Sequence, residues 1–235
     1  MTAYSDIDLV YLWLDFSDHW LKTATTEMIM SAQRAMPGIN IIQISDKAAR
    51  KHPLANSAMV FDKIVDRADL AAFKGYAFAE HALRTERPTI FCDVDVIWSS
   101  VAAAEALRFY HLPTIWLSSR DSDEFAIMPY DTAVMMYRPG DADTRYFWRE
   151  YQRMCDSCKP GFREWWGDQL ALGALMGHEY PVLSRIGEFR DIPDRWAKHF
   201  GGDRDGLVPY ARLIDGGAPF EALMPGLADV VHDHA

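Results

Sequence analysis

The sequence predicts an α/β protein of one domain, with a mostly parallel central sheet flanked by helices. Apolar, β-rich runs alternate with stretches of helical spacing through the first hundred residues in the order strand, helix, strand, helix, strand. That order pairs strands in parallel through right-handed crossovers. The chain is 235 residues long, 49% apolar and 13% aromatic, which is enough to bury one full core. No internal repeat, low-complexity tract or linker divides it, so residues 1–235 are expected to form a single domain.

Taken in order, Ile7 to Leu14 is a β-rich run, and Trp20 to Met36 has helical spacing that stops at Pro37-Gly38. Ile39 to Ile44 is a second short strand running into Ser45-Asp46. Asp69 to Thr85 reads as an amphipathic helix, and Arg87-Pro88 leads from it into the run Thr89 to Trp98, predicted as a buried strand. Pro113 to Leu117 and Thr132 to Tyr137 are further strands, with helices at Asp143 to Met154 and Glu164 to Met176. The final third is loop-rich, with Gly201-Gly202, Gly206, Gly216-Gly217 and several prolines.

Charge narrows the class of partner. With 34 acidic against 24 basic side chains, the formal net charge of -10 opposes non-specific attraction to nucleic-acid backbones and anionic membranes. No apolar run approaches membrane-spanning length, and the first residues lack a basic segment followed by an apolar one, so a cytoplasmic protein is expected. Cys92, Cys155 and Cys158 are too few for a disulfide framework. Cys155-Asp-Ser-Cys158 has the spacing of half a zinc site without a second half, and the expectation is a reduced pair at a helix end.

The run Thr89 to Trp98 carries two aspartates, Asp93 and Asp95, inside apolar sequence. Carboxylates are tolerated there where the strand ends and a ligand or cation waits. In an open α/β sheet ligands collect beyond the carboxyl ends of the strands, where Asp15, Asp46, Asp93 and Asp95 are all expected. Oxygen-rich, thiol-free surroundings favour Mg²⁺ or Mn²⁺, bound through one or two carboxylates and substrate phosphate oxygens. The plain alternative is that Asp93 and Asp95 cap the turn after the strand.

The order of a Rossmann-like front half, Asp93-Val94-Asp95, then Asp131-Thr132-Ala133-Val134-Met135, Asp168-Gln169 and His199-Phe200-Gly201-Gly202 resembles the nucleotide-sugar glycosyltransferases of GT-A fold. The nearest likeness is to the family-8 retaining type, over roughly residues 7–202. The resemblance implies a nucleotide-binding half, 1–100, and a sugar and acceptor half, 101–235. It also implies a nucleotide-sugar donor, first of all a UDP-sugar, and Mn²⁺ or Mg²⁺ held by Asp93, Asp95 and His199. Asp93 would ligate the metal or touch the donor. Asp168 and Gln169 would stand beside the transferring sugar, and Asp131 would orient or deprotonate the acceptor hydroxyl. Asp131 and Ala133 replace the family's Asn and Gly, which leaves sugar and acceptor specificity open.

Lys74 is a basic side chain of the kind such enzymes place near donor phosphates or sugar, and Gly201-Gly202 allows close backbone approach to a diphosphate. Tyr11 and Trp13 offer aromatic faces to a base or pack in the core, and Asp46 is a further donor-binding candidate. Trp165 and Trp166 are a sugar platform or core residues. Asp168 is also placed to start a helix, and His199, His232 and His234 compete as a third metal ligand or are surface imidazoles. The acceptor is a glycan, a protein, a small molecule or a modified nucleic-acid base.

Two other readings stand beside this one. Asp93-Val94-Asp95-Val96 also resembles the nucleophile strand of haloacid-dehalogenase-type phosphatases, although the later lysine and acidic pair of that family are missing. A non-catalytic nucleotide-binding or carbohydrate-binding protein is the third.

Overall fold

The computed structural model describes residues 4–14, 19–110, 115–119, 130–140, 142–160, 163, 167–176 and 212–213. Strand β1 (Asp8–Leu12) leads to helix α1 (His19–Ala35), β2 (Asn40–Asp46) and β3 (Ser57–Phe61). Helix α2 (Leu70–Arg84), β4 (Thr89–Cys92), β5 (Val96–Ile97) and α3 (Ser100–Tyr110) follow. The described chain continues through β6 (Ile115–Ser119), β7 (Tyr130–Tyr137), α4 (Ala142–Ser157), α5 (Gly167–Leu175) and β8 (Arg212–Leu213).

Six strands form one sheet in the order β3-β2-β1-β4-β7-β6. β1 pairs in parallel with both β2 and β4, and β2 with β3, while β7 runs antiparallel to β4 and to β6. The fold class is therefore the one expected: α/β, mostly parallel, flanked by helices. Both faces are covered, as a parallel sheet requires. The two-residue alternation of β1 shows it, since Leu9, Tyr11 and Trp13 enter an apolar cluster with α1 and α3 residues. Val10, Leu12 and Leu14 enter the other cluster, with Phe78 of α2, Trp148 and Tyr151 of α4 and Leu172 of α5.

The chemistry of α2 sets how near its neighbours come. Its buried face is built from small residues, including Ala71, Ala72, Gly75, Ala79 and Ala82. A Cβ on Gly75 would lie 2.5 Å from the Cys155 sulfur and 2.9 Å from the Tyr151 hydroxyl, so glycine is what allows α4 this close. A Cβ on Gly167 would meet the Ala72 Cβ at 3.0 Å and its backbone nitrogen at 3.1 Å. α2 is thus pinched between α4 and the start of α5.

One expectation needs amending, two elements were not expected, and one helix is described only in part. The apolar run Thr89 to Trp98 is not one strand: β4 ends at Cys92, Asp93 to Asp95 turn, and β5 pairs antiparallel with β8 in a separate small sheet. Apolar composition marks burial, and it does not reveal that two carboxylates break the ladder. β3 was not anticipated because Ser57–Phe61 is an edge strand with Val60 57% exposed, so it carries no continuous apolar signal. α3 was also missed; Ala102, Ala103 and Ala106 bury one face of it with small residues that give little amphipathic contrast. The helix predicted over Glu164 to Met176 is described as Gly167–Leu175, since 164–166 lie outside the described residues.

Candidate functional site

The sheet order gathers the motif residues. Asp93 directly follows the carboxyl end of β4. Because β7 is antiparallel to β4, with Cys92 opposite Val134, the start of β7 projects past that same end and carries Asp131 and Thr132 to Asp93. The backbone N–H of Asp93 donates to the Ala133 carbonyl at 2.8 Å, fixing the turn on the neighbouring strand. α2 and α5 bring Lys74 and Asp168 over this rim.

Lys74 joins them. Its Nζ lies 2.8 Å from Asp93 Oδ1 and 2.8 Å from Asp168 Oδ2, and donates toward Thr132 Oγ1 at 3.3 Å. Thr132 in turn donates to Asp168 Oδ2 at 2.6 Å. An ammonium has three donors, and these three oxygens fill them. Asp168 is 1% exposed; its other oxygen accepts the Gln169 backbone N–H at 2.9 Å, and its carbonyl accepts the Tyr151 hydroxyl at 3.2 Å. Asp168 therefore works at the start of α5 and at the rim together. Asp93 differs, because 29% of its side chain remains open to a ligand.

Electrostatics separates these groups. Burial pushes the Asp93 carboxyl up to about 7; Lys74 opposes that, while Asp95 and Asp168 add to it. Burial also raises Asp95, with Asp131 contributing in the same direction. Burial pulls the Lys74 ammonium down, but Asp168 and Asp93 outweigh it and hold the group above the usual lysine range. Asp95 and Asp168 thus act on Asp93, and Asp131 on Asp95, with the Lys74 ammonium opposing the rise at both Asp93 and Asp95. Such a centre is short of positive charge.

Asp93 and Asp95 are both partly exposed carboxylates and could supply two oxygen ligands to a hard divalent cation such as Mg²⁺ or Mn²⁺, whose remaining ligands would be phosphate oxygens. Among the described residues no group of three or more His, Cys, Asp or Glu side chains is arranged to hold an ion. His199, Gly201, Gly202, His232 and His234 lie outside the described residues, as do Asp15, Trp165 and Trp166.

The remaining candidates fall in the fold as follows. Asp46 is 3% exposed; its carboxylate accepts N–H bonds from Ala48, Ala49 and Val65 at 3.0–3.1 Å, so it ties the loop after β2 to the chain beyond β3. Tyr11 is fully buried, with its hydroxyl on Gln43 Oε1 at 3.2 Å. Trp13 is 8% exposed at the carboxyl end of β1. Asp131 turns Oδ1 to the Ala133 N–H at 2.8 Å. Gln169 is half-buried in the first turn of α5. Cys155 and Cys158 are free, buried thiols at the end of α4.

Sequence reasoning missed two residues of this site. Thr132 was read only as part of a motif, and Tyr151 only as helix. The alternation of β7 could have signalled Thr132, a buried hydroxyl in an apolar strand that needs a partner.

No protein-family model matches the chain. None of the curated proteins matches it either. Among solved structures it is similar to the glycosyltransferase GlyE of Streptococcus pneumoniae TIGR4, at 12% identity and a TM-score of 0.48. That similarity covers 84% of this chain, which spans 45% of the length of that one.

Proposed function

We propose that this protein is a metal-dependent glycosyltransferase that moves a sugar from a nucleotide-diphosphate sugar, uridine first among the candidates, to an acceptor hydroxyl with retention at the anomeric carbon. One observation carries the reading: Lys74 ties the first aspartate of Asp93-Val94-Asp95 to the aspartate of Asp168-Gln169 through two 2.8 Å ion pairs. Residues far apart in sequence, each assigned by the resemblance to the donor, meet beyond the carboxyl end of β4, the side on which open α/β sheets take their ligands.

The chain's residues have separable tasks in this scheme. Asp95 and Asp93 would hold Mn²⁺ or Mg²⁺ with His199, and the bound ion would lower the cost of charge on the departing diphosphate. Lys74 places a fixed positive charge beside the same phosphates. Asp168 and Gln169 stabilise the oxocarbenium-like sugar, with Asp168 held rigid by Thr132, Tyr151 and Lys74. Asp131 would orient the acceptor hydroxyl, and Trp13, at the carboxyl end of β1, would meet the base, because Tyr11 is fully buried in the core; the resemblance assigns Gly201-Gly202 to the diphosphate.

Calorimetric titration of UDP with Mn²⁺, and again with the metal chelated, tests the reading. Metal-dependent binding that disappears in Asp95→Asn supports it; no binding in either condition removes uridine donors and sends the search to GDP and other nucleotides.

A second reading, phosphate-monoester hydrolysis with Asp93 as nucleophile, gains from the Lys74 ion pair, since a lysine on that aspartate supplies the positive charge such an enzyme needs. Against it, the later lysine and acidic pair that such phosphatases need are missing from the sequence. Hydrolysis of p-nitrophenyl phosphate, lost in Asp93→Asn, would favour this second reading.

A further inference from the structure

We propose that Lys74 is the resident counter-ion of the carboxylate cluster, occupying Asp93 so that a divalent ion enters together with a diphosphate and not ahead of it. The inference rests on the glycosyl-transfer reading and adds an order of binding to it.

The geometry supplies the argument. Nζ of Lys74 sits 2.8 Å from Asp93 Oδ1, on the one carboxylate of its pair of partners that faces outward. A divalent ion ligated by Asp93 would stand within a few ångströms of that ammonium, and the two cations would repel strongly in a partly dehydrated site. Removing Lys74 from the cluster altogether is not open to the molecule. Its side chain is 15% exposed, and its second partner, Asp168, has a side chain 1% exposed and would be left as a buried charge without a counter-ion.

The exchange that resolves the conflict is local. Lys74 keeps Asp168 and Thr132, releases Asp93 Oδ1, and turns its freed donor to a phosphate oxygen. The diphosphate brings the negative charge that lets ammonium and divalent ion share the site. Without the diphosphate, the ion must displace a paired cation and gains nothing to offset the repulsion.

The test is an electron paramagnetic resonance titration of free Mn²⁺ with wild-type protein, Lys74→Met and Lys63→Met, without nucleotide. Lys63 lies apart from the cluster, over the Phe73 ring at 4.3 Å, and measures the effect of losing a lysine elsewhere. Expected are weak binding to wild type and to Lys63→Met, and binding roughly tenfold tighter or more to Lys74→Met. Equal affinity in all three, or weaker binding to Lys74→Met, overturns the proposal.

Should Lys74→Met not fold, wild type tests the order of binding: after the Mn²⁺ held by UDP in a protein-free titration is subtracted, the protein must bind Mn²⁺ at least about tenfold tighter with UDP than without. Equal binding overturns the proposal. If UDP binds in no condition, the uridine-donor reading falls, while the comparison of Mn²⁺ affinities still judges Lys74.

Discussion

Thr132 donates its hydroxyl to Asp168 across 2.6 Å, in a place where the threonine is 0% and the aspartate 1% exposed. A charge-assisted bond this short, made without water, fixes the carboxylate as well as satisfying it. The pair links β7 to α5 and so couples the sheet to the helix that carries the Asp168-Gln169 motif.

Thr132→Val should therefore cost about 1–3 kcal/mol, because it leaves a buried carboxylate with one partner fewer. Donor turnover should fall while donor affinity changes little. Denaturant unfolding and steady-state kinetics check the two halves of the expectation.

Asp168→Asn should lower transfer by roughly 100-fold or more with nucleotide affinity retained, if its charge acts on the reacting sugar. A parallel loss of affinity and turnover, measured by calorimetry beside activity, would assign Asp168 to the start of α5 alone.

Gly75→Ala should destabilise the fold by about 1–3 kcal/mol, since the new methyl must displace α4. Its nearest obstacle is the Cys155 sulfur at 2.5 Å, so adding Cys155→Ala should recover part of the loss. A double-mutant cycle with no coupling would refute the contact.

Arg163 closes the end of α4, donating to the carbonyls of Cys155, Asp156 and Cys158 at 3.0–3.2 Å, and pairs with Asp69 beside the start of α2. Its own carbonyl accepts the Ala72 N–H at 2.9 Å. Arg163→Ala should cost about 2 kcal/mol, and Arg163→Lys should restore only part, because an ammonium cannot reproduce the guanidinium fork. Thermal unfolding of both variants tests this.

His81 is buried against the Phe91 ring, and burial holds its pKa below the ordinary 6.5, with Asp8 opposing. As pH falls below 6.5 the unfolded chain takes up the proton first, so stability is full above that value and is lost on acidification toward the folded-state pKa. His81→Phe should flatten the fall in unfolding midpoint between neutral and mildly acidic pH. An unchanged slope would mean that His81 contributes nothing to it.

Much of the architecture was legible beforehand. β1, β2 and β4 announced themselves by apolar runs, and α1, α2 and α4 by helical spacing, because each buries a continuous face. β3 and α3 escaped because an exposed edge strand and an alanine-faced helix lack that contrast. Asp93 was legible as a candidate because a carboxylate in apolar sequence needs a partner, and Lys74 and Asp168 were so only through the family resemblance; the partners of all three were not.

The sequence by itself determined the α/β class, since strand and helix order constrains topology, and it offered Asp93, Asp95, Lys74 and Asp168 as candidates. The tertiary structure alone decided that Lys74 takes both Asp93 and Asp168, and that Asp46 serves the backbone. Those outcomes depend on the reversal of β7 and on the close approach permitted by Gly75 and Gly167. Ion pairs form over a few ångströms, and distances of that size are set by packing between elements far apart along the chain.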